Sequence, residues 1–112
     1  MSQAVALATE SSAGRLARFF PAAIATRIPV RLKALSSRAG SSEQQVIIEF
    51  GTASEVLFEC SLMLEVGDEV HMLNADGSFD VCAIVVAVQV EHERKAVAVR
   101  FNQQMANWII KP

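Results

Sequence analysis

Residues 79–90 read FDVCAIVVAVQV and contain the longest uninterrupted apolar stretch of the chain. Branched Val and Ile side chains dominate this stretch, and they favour strands over helices. Because residues 81–88 are apolar on both faces of an extended strand, the segment is predicted to be covered on both sides or strongly curved. We therefore expect it to be the central strand of a β-sheet.

Shorter segments on either side show strand patterns, mostly an alternation of apolar and polar residues with a period of two. Five further strands are predicted, at residues 27–33, 46–50, 56–60, 70–72 and 96–101. Turn residues separate them, and Asn74-Ala-Asp-Gly77 is a strong hairpin signal. Six short antiparallel strands with tight turns predict a mainly β fold, a six-stranded antiparallel β-barrel, since closure removes exposed sheet edges.

The two ends of the chain have a different character from the strands. Residues 3–20 have a mixed helical pattern that Pro21 ends, because proline cannot continue a helical hydrogen-bond ladder. Residues 103–110 are predicted to form a short C-terminal helix over one mouth of the barrel. At 112 residues the chain fits one domain, divided into a partly helical basic arm (1–25) and a barrel (26–112).

Charge is distributed unevenly along the chain. Residues 11–42 carry six cationic and no acidic side chains, whereas residues 43–112 carry eleven acids against four cations. Such asymmetry can bring an anionic ligand to the basic part, and it can equally dock the arm on its own acidic body.

Apolar runs are all shorter than the roughly 20 residues that a membrane-spanning helix needs, so no membrane span is predicted. The apolar stretch at 4–8 is shorter than the ~7–15 residues of a signal peptide core, which indicates a cytoplasmic protein. Cys60 and Cys82 lie in apolar runs, and both are predicted to be buried and reduced.

Catalytic and metal-binding patterns are not evident in the sequence. His71 and His92 are the only histidines, and neither has a paired nucleophile or acid at a workable spacing. The spacing of the histidines and cysteines matches no compact metal-ligand pair, and no glycine-rich phosphate loop is present. The chain is therefore predicted not to be an enzyme and to have neither a metal nor a cofactor.

Several segments, taken in order, resemble the PilZ domain family, whose members are six-stranded β-barrels that bind cyclic di-GMP. They are RIPVR (27–31), GTASEVLF (51–58), LEVGDEV (64–70), CAIVV (82–86), VAVRF (97–101) and NWIIKP (107–112). The resemblance runs from about residue 27 to the end of the chain and rests on the order and spacing of these segments. It implies a regulatory domain with cyclic di-GMP as its ligand.

The family binds its ligand through an Arg-x-x-x-Arg element before the first strand and an Asp/Asn-x-Ser-x-x-Gly element after the second. The resemblance therefore implies a ligand site formed by Arg27, Arg31, Thr52 and Ser54. Guanidinium groups bind phosphate or the edge of guanine, and hydroxyl groups can bond the guanine base.

This chain departs from both elements. On a second alignment Arg27 is the second arginine, and Ala23 replaces the first. Thr52 replaces the Asp or Asn, while Val56 and Leu57 stand where glycines are expected. Because threonine offers one hydroxyl and branched side chains crowd the backbone, a low or absent affinity for the dinucleotide is expected.

Other interpretations of the same residues remain open. The cations of the first strand are also typical of a solvated edge strand, and Thr52 and Ser54 are also typical turn residues. A ligand-independent adaptor of the same fold, with an apolar patch around Phe19, Phe20 and Leu57, would bind a protein partner. The acidic body disfavours a nucleic-acid-binding barrel, so neither DNA nor RNA is expected as a partner.

Overall fold

A computed structural model of the chain describes residues 12–35, 42–91 and 94–102. Its elements are α1 (Ser12–Leu16), a 3-10 turn (Ala17–Phe19), β1 (Ile24–Ala34), β2 (Ser42–Gly51), β3 (Glu55–Cys60), β4 (Glu69–Leu73), β5 (Asp80–Glu91) and β6 (Arg94–Phe101). All six predicted strands are therefore present. The helix predicted over 3–20 is found from Ser12 and ends before Pro21 as expected, while its first part, the 92–93 hairpin tip and the predicted C-terminal helix lie outside the described residues.

The six strands form a closed barrel in the order β1-β2-β3-β6-β5-β4, with every neighbouring pair antiparallel. This confirms the predicted six-stranded antiparallel β-barrel. Closure depends on a short contact, because β4 pairs only with the second half of β1, from Arg31 opposite Leu73 to Ala34 opposite Val70. The first half of β1 has β2 as its only strand neighbour among the described residues.

Pro29 lies in the middle of β1, which begins at Ile24, whereas in the predicted strand 27–33 it is close to the start. The amide of Leu35 donates to the carbonyl of Glu69, and backbone groups alternate between the two edges of a strand. The backbone nitrogen of residue 29 therefore faces the side of β1 on which β4 lies. It is beyond the last residue pair that joins β1 to β4. Since proline has no N–H, no unpaired donor is left at this open edge.

The core lies inside the barrel and is built from the inward-facing residues of all six strands. Its largest fully buried side chains are Phe58, Leu32, Ile48, Met72, Val30, Val56, Val70, Val85, Val97 and Val99. Phe79 and Phe101 meet edge to face near the end of β6, with ring centroids 5.8 Å apart. The alternation of buried and exposed residues that predicted the strands thus defines the inner face of the barrel.

The two faces of β5 are covered only in part, so the first of the two alternatives predicted for this strand, cover on both sides, does not hold along its whole length. Val81, Ala83 and Val85 point into the core, whereas the intervening Cys82 and Ile84 are exposed. The register shifts between Val85 and Ala87, and beyond this bulge the outer face is covered by the N-terminal arm. The second apolar face of the strand is therefore used only in its second half.

The arm lies against the outside of the barrel. Leu16 of α1 packs with Leu57, Ala96 and Ala98 in a second apolar cluster, separate from the core. The two clusters are separate because successive side chains of a strand point to opposite faces. The neighbours of Leu57 on β3 point into the barrel, so Leu57 itself points outward. After Phe20 a turn leads directly into β1.

The two cysteines have different environments, so the prediction that both are buried is wrong for Cys82. Both thiols are free, but Cys60 is buried and Cys82 is exposed on the outer face of β5. Burial raises the pKa of the Cys60 thiol above its ordinary value. Within the described residues no helix is long and apolar enough to cross a membrane.

We expect a soluble disulfide reagent to modify one thiol of the native protein rapidly and the other slowly. The exposed Cys82 should react first, since thiolate character and access set the rate, and Cys60 has less of both. Following the absorbance of the released thiolate measures both phases. Cys82→Ser should remove the fast phase and leave the slow one, and a fast phase that persists in this variant would contradict the assignment.

Candidate ligand-binding site

The turn between β2 and β3 carries two of the sequence-predicted site residues. The Thr52 hydroxyl oxygen accepts hydrogen bonds from the amides of Ser54 (3.1 Å) and Glu55 (3.0 Å). The Thr52 amide in turn donates to the carbonyl of Glu55 at 2.8 Å. Hydroxyl-to-backbone bonds of this kind stabilise tight turns. The Thr52 side chain is therefore already used to shape the turn.

Glu55 joins this turn to β6. Its carboxylate accepts the Thr52 hydroxyl proton at 3.1 Å and two bonds from the Arg100 guanidinium, at 2.8 Å and 3.2 Å. Glu55 and Arg100 are direct cross-strand partners, and the Glu55 side chain is only 15% exposed. This arrangement fixes the turn and places a negative charge beside it.

Ser54 lies at the tip of the turn and is half-buried. Its amide binds Thr52 and its carbonyl accepts a bond from the amide of Phe101 at 2.9 Å. Its hydroxyl makes no hydrogen bond with any other described residue. The backbone of Ser54 is thus held in place while its hydroxyl group is available.

Arg27 lies in a bulge of β1, between the pairs Ala25–Phe50 and Ile28–Ile48. Its side chain is exposed, and no described residue forms a hydrogen bond or an ion pair with it. The bulge lies opposite Glu49 of β2, three residues before Thr52, so at about 3.3 Å per residue the backbone of Arg27 is roughly 10 Å along the strand from the turn. A long arginine side chain can span much of that distance.

Arg31 lies apart from this group. It is opposite Gln45 of β2 and Leu73 of β4, four residues and thus about 13 Å further along β1 than Arg27. Its guanidinium is 3.9 Å from the carboxylate of Glu43. It also lines a groove of about 430 Å³ together with Ile28, Gln45, Asn74 and Asp76. In strand register Arg27 is thus the predicted arginine nearer to the turn that carries Thr52 and Ser54, and Arg31 lines a different surface.

Val56 and Leu57, which replace the expected glycines, are both fully buried. Val56 points into the core, and Leu57 points outward beneath the arm. Their side chains fill space on both faces of β3, so the backbone of this segment cannot be approached as closely as a glycine would allow.

No protein-family model matches the chain, and no curated protein matches it in sequence.

Sequence reasoning missed the acidic residues of this region, Glu55 and Glu59. Each is held by an arginine of β6, Arg100 and Arg94 respectively. A cross-strand pair becomes visible only once the register of two strands distant in sequence is known.

Of the two histidines, His71 is half-buried, with its imidazole 2.6 Å from the carboxylate of Asp80 on the neighbouring strand. His92 lies outside the described residues.

Proposed function

We propose that the chain is a PilZ-like regulatory domain and a weak receptor for cyclic di-GMP. The observation that supports this proposal is an unused cation on β1 and an unused hydroxyl group in the β2–β3 turn, at the same end of the β1–β2 pair. The Arg27 guanidinium has no protein partner among the described residues, and neither has the Ser54 hydroxyl.

Each of these two groups has a clear role toward the ligand. The Arg27 guanidinium can bind a phosphate or the O6 and N7 edge of guanine with two parallel hydrogen bonds. The Ser54 hydroxyl can donate to or accept from the same base. Arg27 is on β1 and Ser54 is in the turn that follows β2, the strand paired with β1, so the backbone on both sides is held and little ordering is needed when the ligand binds.

The same surface also explains why binding should be weak. Thr52 uses its hydroxyl group within the turn, and Glu55 places a carboxylate next to it. That carboxylate repels a phosphate, although its pairing with Arg100 reduces the repulsion. Arg31 lies about 13 Å further along β1 and is close to the Glu43 carboxylate, which weakens what it can contribute to a phosphate held by Arg27.

Calorimetry with the full chain and cyclic di-GMP tests this proposal. We expect measurable binding heat that Arg27→Ala removes, since a hydrogen bond to a charged group contributes about 1.5–3 kcal/mol, or at least about tenfold in affinity. Arg31→Ala is the matched control and should reduce affinity much less. Absence of heat at micromolar dinucleotide, or equal heat from wild type and Arg27→Ala, would exclude the proposed sensing role.

A second candidate function is a ligand-independent adaptor of the same fold. It is favoured by the 75% exposure of the Phe19 side chain, which is high for a large aromatic residue. Phe20 is half-buried and Leu57 is fully covered by the arm, so the apolar patch expected from these three residues is smaller while the arm is docked. An adaptor would give no heat with the dinucleotide.

A further inference from the structure

The outside of the barrel carries an apolar strip that its own chain covers. Leu57 of β3 and Ala96 and Ala98 of β6 face outward, and each is completely buried. Phe50, Val86 and Ala87 border this strip. Outward residues of a barrel are normally solvated on one side, so their burial here is due to the arm. We call these six residues the arm strip.

Hydrogen bonds to a carboxylate and apolar packing both hold the arm on the strip. The Glu59 carboxylate accepts a hydrogen bond from the amide of Ser12 at 2.5 Å and a longer one from Ala13 at 3.4 Å. Arg94 binds the other carboxylate oxygen at 3.1 Å. Leu16 is then buried against the small alanine side chains of the strip, and Ala13 is fully buried as well. A carboxylate thus orients the start of the helix, and a leucine fixes its other end.

The structure of the arm depends on the barrel. Its helix has five residues, one of them Gly14, whereas isolated helices shorter than roughly 12–15 residues are marginal in water. The 3-10 turn at Ala17–Phe19 and a turn at Pro21 and Ala22 join this helix to β1. Such a segment can leave the strip without unfolding the barrel.

We propose that the arm strip is a docking site for a short helix of a protein partner, which displaces the arm. This inference rests on the adaptor function proposed above, and the arm strip is the surface through which such an adaptor would bind its partner. The docked arm indicates which partner would fit. The partner would be a helix whose first backbone amides donate hydrogen bonds to Glu59, and it would carry an alanine followed three residues later by a leucine. The first turn of α1 has no acidic residue, and a partner helix must also lack one, because it would face the Glu59 carboxylate.

The chain that links the arm to the barrel sets an upper limit on the dissociation constant of the arm for the strip. A short flexible linker gives an effective concentration of about 1 mM, so an arm that stays docked must bind the strip with a dissociation constant of about 1 mM or tighter. An arm that is docked nine-tenths of the time would weaken an incoming helix about tenfold. A helix added in trans should therefore bind much better once the arm is released.

A labelled, end-capped peptide of residues 12–20 is the probe, titrated into the full chain and followed by fluorescence anisotropy. We expect it to bind the Leu16→Ala protein with a dissociation constant of about 1 mM or tighter, and wild type at least about tenfold more weakly. Ala13→Asp is the second arm-releasing variant, since it places a charge beside Glu59 without altering the strip. Thermal unfolding establishes that each variant is folded.

Two controls separate this inference from the others. The same peptide carrying Ala13→Asp should not bind, and Glu59→Gln added to Leu16→Ala should weaken binding of the original peptide. Two results would overturn the inference. One is that the peptide does not bind either folded arm variant at a protein concentration several times the limit of about 1 mM, and the other is that it binds variant and wild type equally. Because no dinucleotide is present, this result is independent of the calorimetric test of ligand sensing.

Discussion

Phe58→Ala is expected to lower the free energy of unfolding by about 3–5 kcal/mol, which is the usual cost of truncating a buried phenylalanine. Phe58 is completely buried and is the largest of the fully buried side chains in the core. It lies on β3 between its cross-strand partners Ile48 and Val97. Since strands on both sides hold the backbone in place, the cavity left by the ring cannot collapse easily.

Urea unfolding followed by circular dichroism measures this effect, with the slope checked for two-state behaviour. Phe19→Ala is the matched control: Phe19 is 75% exposed, and surface substitutions usually change stability by no more than about 0.5 kcal/mol. Similar losses in the two variants would show that Phe58 does not lie at the centre of the core.

The strands were predictable because their signal is local. In most strands a residue that faces the core is followed by one that faces water, and this alternation, together with the continuous apolar run of β5, identified the six strands from the sequence. Strand ends were less predictable. β1 begins at Ile24, three residues before the predicted start, because pairing with Phe50 and Gly51 of β2 extends it across a bulge. Neither the bulge nor its partner can be read from residues 24–27 alone.

The environment of outward-facing residues was not predictable for a different reason. Leu57 and Cys82 both lie in apolar stretches and both face away from the core. Leu57 is covered and Cys82 is exposed, because the arm crosses the outer face of β3 and β6 and not the first half of β5. The path of the arm depends on Glu59, which lies 47 residues beyond the amide it holds.

The candidate site was predictable only where it is contiguous in sequence. Thr52 and Ser54 belong to one turn, and their proximity follows from their spacing. The pair Arg27 and Arg31 depends on strand geometry instead: four residues of an extended strand separate them by about 13 Å, whereas four residues of a helix would place them on one face. The bulge next to Arg27 then determines which neighbours each arginine meets.

Leu57→Ala is expected to lower the free energy of unfolding by about 2–5 kcal/mol, a cost typical of a core leucine, although Leu57 faces outward. Its side chain is completely buried between β3 and the arm. Leu35→Ala is the matched control, since Leu35 is 44% exposed and should cost less than about 1 kcal/mol. Urea unfolding measures both variants.

A double-mutant cycle with Leu16→Ala identifies the origin of this cost. If the arm buries Leu57, its truncation should cost at least about 1 kcal/mol less when Leu16 is already alanine, since contacting residues usually show coupling of about 0.5–3 kcal/mol. Additive costs would mean that Leu57 owes its burial to the barrel alone. The coupling therefore measures in free energy how firmly the arm holds its position on the barrel.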